Sequence, residues 1–114
     1  MIKVLNVKEN NKYFEYAIHL INSEIVNKTC NVLIVIHGYG SGGMGGIMRA
    51  EIHKYLSNEL KLKNILSFIK GEEWGETNTT KGLMCEFYPE LLLNQNLQNY
   101  NNGVTVIWVT KENF

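Results

Sequence analysis

The stretch His37–Gly46, HGYGSGGMGG, sets one histidine at the head of six glycines. It follows the apolar run VLIVI and precedes IMRAEIHKYL, so it marks the seam between an expected strand and an expected helix. Glycine loses more conformational entropy on folding than any other residue, so a cluster implies that the backbone itself is needed there. A strand, a glycine-rich turn and a helix start together make an anion site. Amide groups without intrahelical partners point outward, and the helix dipole favours negative charge.

The loop residues Gly38, Tyr39, Gly40, Ser41 and Gly42 are therefore candidate phosphate contacts, Tyr39 also as a stacking surface for an unpaired base and Ser41 also as a helix cap. His37 is the candidate catalytic residue. Its place at a strand end beside a helix start favours the neutral imidazole, which can take a proton from water or a ribose 2′-hydroxyl. The same histidine can instead brace the loop, and both readings stand. Arg49, the only arginine in the chain, falls early in the following helix, where it either clamps a phosphate or pairs with Glu51 or Glu72. Lys54 extends that patch, Lys81 reaches over it, and Trp74 offers a second ring for stacking or for the core. His19 reads as a helix-surface or core-edge residue, and His53 as solvent-facing, although the first turns of its helix could bring it near a bound strand. No pair of histidines has metal-ligand spacing with a carboxylate, so neither metal nor cofactor is expected.

Other glycine-loop chemistries fit less well. Gly38, Gly40 and Gly43 satisfy G-x-G-x-x-G, but the chain is too short for two dinucleotide-binding halves and no acid closes the strand ILSFI. No Lys-Ser/Thr pair follows, as an NTPase loop requires. A hydrolase elbow G-x-S-x-G is missing, because Tyr39 stands two residues before Ser41.

These residues need a scaffold. Ile2–Val7 reads as a strand and residues 12–27 as a helix with Phe14, Ala17, Ile18, Ile21 and Ile25 on one face. Val32–His37 is a continuous apolar strand of the kind buried on both faces. A second helix carries Met48, Ile52, Tyr55, Leu56 and Leu60, and Ile65–Ile69 and Val104–Val109 are further strands. The order βαβαββ predicts a compact two-layer α/β sandwich with a mixed four-stranded sheet. Between the last two strands lies an insertion of approximately residues 75–102, expected as a flap, with a short strand in LMCEF and a helix opening at Pro89.

The 114 residues fit a single domain spanning 1–114. No apolar run approaches a membrane span and no export signal opens the chain, so a cytoplasmic protein with reduced Cys30 and Cys85 is expected. Eleven basic and eleven acidic residues cancel, which excludes a long basic footprint and makes any phosphate binding local.

The stretch VLIVIHGYGSGGMGGIMRAEIHKYL resembles the Smr (small MutS-related) domain, with His37, Gly38, Gly40 and Gly42 on the family's H-G-x-G-x-G loop and Arg49 on its helix arginine. ILSFIKGEE is similar to the family's third strand and its exit, and NGVTVIWV to its closing G-x-T-V strand. The resemblance implies a nucleic-acid-binding domain, in several members a metal-independent endonuclease acting on DNA or RNA. The family's N-terminal L-D-x-H motif corresponds here to LNVK, with Asn6 at the acid and Lys8 at the histidine. An amide is no general base, and an ordinary lysine is already protonated at neutral pH, so the substitutions weaken or remove cleavage. Lys8 retains a point charge for a phosphate. The other class of function is a non-catalytic module for a protein partner or a small anion on the same fold.

Overall fold

The computed structural model describes residues 1–8, 13–39 and 45–112. Strand β1 (Ile2–Asn6) leads into helix α1 (Phe14–Val26), strand β2 (Val32–Ile36), helix α2 (Gly45–Lys61) and strand β3 (Ser67–Lys70). Helix α3 (Thr79–Phe87) and two short 3₁₀ helices, Pro89–Leu93 and Gln95–Leu97, precede strand β4 (Val104–Trp108). The four strands form one mixed sheet in the order β1-β2-β4-β3. β1 and β2 are parallel, while β4 runs antiparallel to both β2 and β3. The α/β sandwich and its mixed sheet agree with the sequence reading.

Strand parity divides the core. Leu33 and Val35 of β2 join Ile107 of β4 under α1 and α2. Val32 and Ile34 face the other way, with Val104, Val106 and Trp108. On the first face α1 buries Ala17, Ile21 and Ile25 at four-residue spacing, and α2 buries Met48, Ile52 and Leu56 likewise. Leu60, expected on that face, is exposed.

On the second face the structure corrects the expected flap. Residues 71–103 pack as a further layer, in which Trp74, Met84, Leu91 and Leu97 complete a second core against the sheet. The segment LMCEF is helix rather than strand. It belongs to α3, which opens on Asn78, whose side chain accepts the Lys81 amide at 2.9 Å. Pro89 does stand at the start of a helical turn, a 3₁₀ one. Covering both faces explains why β2 is apolar without alternation.

The register puts Asn6, Ile36 and Val104 side by side, with Thr105 opposite Lys70. The carboxyl ends of β1, β2 and β3 therefore meet the amino end of β4 along one rim. Among the described residues no helix is long and apolar enough to cross a membrane.

Candidate functional site

The rim begins where β1 ends. Asn6 Oδ1 accepts the Lys8 amide at 2.9 Å, turning the chain so that the Lys8 stem lies across Gly38. Gly38 has φ 87, a left-handed conformation that glycine adopts without a side-chain clash. The amides of His37 and Gly38 both donate to the Gly103 carbonyl, at 2.9 and 3.0 Å. This is a correction for Gly38: its N–H is spent on the Gly103 carbonyl and is no anion donor. Tyr39 follows, exposed, with its ring edge packed on Gly103. Gly40, Ser41 and Gly42 lie outside the described residues.

Parity along β2 carries His37 to the helix face, where it is 1% exposed. Its Nδ1 lies 2.9 Å from the Gly38 carbonyl, which can only accept, so Nδ1 carries the proton. Nε2 then accepts the Thr105 hydroxyl at 2.9 Å, and Thr105 in turn accepts Nε2–H of His53, also at 2.9 Å. The result is a hydrogen-bond chain running one way, from His53 through Thr105 to His37 and the loop carbonyl. The two imidazoles stand edge to face with centroids 5.7 Å apart, and Phe68 stacks on the outer side of His53 at 6.3 Å.

Burial lowers both histidine pKa values. For His37 the Gly38 carbonyl opposes the shift while the Arg49 charge adds to it. His53 is pushed down to about 4, by burial first and then by His37, Lys70 and Arg49, with Glu72 opposing. Both rings are thus neutral at physiological pH, as expected for His37. His53, expected at the surface, is half-buried and engaged.

The expectation for Arg49 resolves toward pairing. Its Nη2 donates to Glu72 Oε2, while Arg49 Nε and Glu72 Oε1 are enclosed without a partner among the described residues. The one arginine is thereby neutralised by the exit of β3. Lys54 is exposed, but five residues place it about 140° around α2 from Arg49, off the shared face. Trp74 is buried in the second core, with Lys81 Nζ 5.5 Å from its ring centre, so it presents no free stacking face at the rim. Among the described residues no group of three His, Cys, Asp or Glu side chains converges as a metal site.

Sequence reasoning missed Thr105 and His53. Thr105 was findable, since it shares the parity of Ile107 on β4 and lies beside the strand ending in His37. His53 was not, because its direction depends on how α2 is rotated over the sheet. No protein-family model, curated protein or solved structure gives a significant match to the chain.

Proposed function

We propose that this chain is a nucleic-acid-binding domain of the Smr type that holds the phosphodiester backbone at the rim and has lost cleavage. The observation that carries the reading is the seating of the Lys8 stem across Gly38, the residue before the exposed Tyr39, which supports a cation and an aromatic ring at the same rim. A point charge for phosphate and an aromatic surface for a base are the two elements of single-strand binding. Ligands of open α/β sheets favour the carboxyl ends of parallel strands, which is where this rim lies. Loss of cleavage is supported by His37, whose ring nitrogens are both engaged, and by Asn6, which caps a turn where an acid would be needed.

Zero net charge and the pairing of Arg49 leave few phosphate contacts. With about three neutralised, the affinity for single strands falls with salt at a slope near −2, three times about −0.7. Anisotropy of labelled RNA and DNA oligonucleotides checks this. Lys8→Ala reduces the slope by about 0.7, and a binding constant unchanged between low and physiological salt overturns the reading. Incubation with labelled RNA and DNA in chelator leaves the strands intact, equally for the wild type and His37→Ala.

The second class, a protein- or small-anion-binding module, is favoured by the Arg49–Glu72 pair, which removes the strongest phosphate ligand from the surface. Absence of binding to every oligonucleotide at low salt selects it.

A further inference from the structure

The nucleotide-binding reading leaves open what lies beyond the backbone contact, and the insertion supplies a surface there. Next to Tyr39 opens a cleft of about 360 Å³ walled by Tyr39, Gln95, Gln98, Asn99, Tyr100 and Asn102. Small-molecule pockets begin near this size, about 300 Å³. None of these side chains is ionisable below the tyrosine range, so the cleft carries no charge to hold a phosphate and its lining suits a neutral polar group. The side chains of Gln95, Asn99 and Asn102 make no hydrogen bond among the described residues, and Gln98 uses only Nε2, on the Leu92 and Asn94 carbonyls. Gln95, Asn99 and Asn102 each offer a donor and an acceptor, the pairing displayed on the edge of a nucleobase, while Gln98 has its oxygen left to accept.

The turn that presents Tyr100 is held at a cost. Asn99 and Tyr100 are consecutive non-glycine residues in the left-handed region, with φ 60 and 52. A bulky side chain there is strained, and such strain persists only where the surroundings dictate it. Asn101 dictates it here. Its Oδ1 accepts the Gly103 amide at 2.9 Å, and its Nδ2 donates to the Asn96 carbonyl at 3.0 Å. Its own carbonyl lies on Gly71, where any β-carbon would overlap it. The outcome is a fixed turn with the Tyr100 ring 66% exposed. A second hollow of about 180 Å³ shares Gln98, Asn99 and Tyr100 and is lined also by Glu76 and Lys81.

We propose that the cleft between Tyr39 and Tyr100 is a pocket for one unpaired nucleobase, stacked on a tyrosine and hydrogen-bonded by the surrounding amides. The substrate is accordingly a single strand rather than a duplex. This rests on the backbone-binding reading above.

The test uses the whole chain and three probes of equal phosphate count: a single-stranded oligonucleotide, a duplex of half its length, and the single strand with abasic sites. The variant is Tyr100→Asn, since asparagine tolerates the left-handed backbone and keeps the turn folded. Tyr100→Phe keeps the ring as control, and thermal melting verifies folding of both. The wild type binds the base-bearing strand about tenfold more tightly than the abasic strand. Tyr100→Asn loses that difference, Tyr100→Phe retains it, and the salt slope is the same for all three because no charge has changed. Equal wild-type affinity for base-bearing and abasic strands, or a difference that survives Tyr100→Asn, overturns the pocket while the backbone reading stands. No binding to any probe overturns both.

Discussion

A single hydroxyl decides how the two site histidines behave. Thr105 donates to His37 and accepts from His53, so neither ring is left with a buried unpaired nitrogen facing it. The groups around His53 are His37, Lys70 and Arg49, which disfavour its protonation, Glu72, which favours it, and the apolar ring of Phe68. In the unfolded chain His53 takes up a proton near pH 6.5, whereas in the fold it stays neutral to about 4. Between these values the unfolded state binds more protons, so stability falls as pH falls. The half-buried position screens part of the effect, and a loss of about 1–2 kcal/mol is expected from this residue. His53→Gln keeps a donor for Thr105 but cannot titrate. Urea midpoints at pH 6.5 and pH 4 then differ less for His53→Gln than for the wild type. An equal difference in both proteins rules out His53 as the source. The facing of His37 and Thr105 was legible in the sequence, because strand residues two apart share a face. The participation of His53 was not, because helix periodicity identifies an apolar stripe and leaves the residues at its edge undecided.

Elements end here in an unusual way. Both long helices close with paired carbonyl bonds of the kind normally built on glycine: Thr29 and Asn64 amides reach back to Glu24 and Glu59, and Lys28 and Lys63 amides to Ile25 and Leu60. The left-handed residue is a lysine each time, with φ 47 at Lys28 and 62 at Lys63. A lysine side chain suits the negative end of the helix dipole but is strained in this conformation. Lys63→Gly therefore stabilises the fold by about 1 kcal/mol and raises the melting temperature by about 4 °C, readable by calorimetry. A fall in melting temperature would show that the lysine charge outweighs the strain. Without glycine at either stop, the helix ends were readable only from the loss of apolar spacing. The insertion shows the reverse case. Phe87 and Cys85 beside Met84 read as strand, and the Asn78 cap together with the packing of Met84 into the second core settles α3 as helix.

At the scale of the whole molecule, the sheet needs both of its coverings. β2 contributes Leu33 and Val35 to one core and Val32 and Ile34 to the other, so no residue of that strand can change sides without exposing apolar surface. The apolar run of β2 announced two covered faces, but only Leu91–Leu93, Phe87 and Tyr88 hinted at what covers the second, and Leu92, Leu93 and Phe87 prove to be exposed. Residues 71–103 are therefore as much part of the folding unit as α1 and α2, and the pocket at Tyr100 stands on a layer fixed to the sheet. Met84, fully buried in the second core, and Ile52, fully buried in the first, compare the two coverings directly. Truncating either to alanine removes buried methylenes and leaves a cavity, costing about 2–5 kcal/mol. In one cooperative unit both substitutions shift the whole urea transition to lower midpoint with the slope unchanged. If the insertion were a flap that opens independently, Met84→Ala would leave the main transition in place and add a separate early phase, in which the fluorescence of Trp74 and Trp108, both in the second core, changes before most of the helical circular dichroism is lost. A single transition in which fluorescence and circular dichroism report together ties the proposed binding surface to the stability of the sheet beneath it.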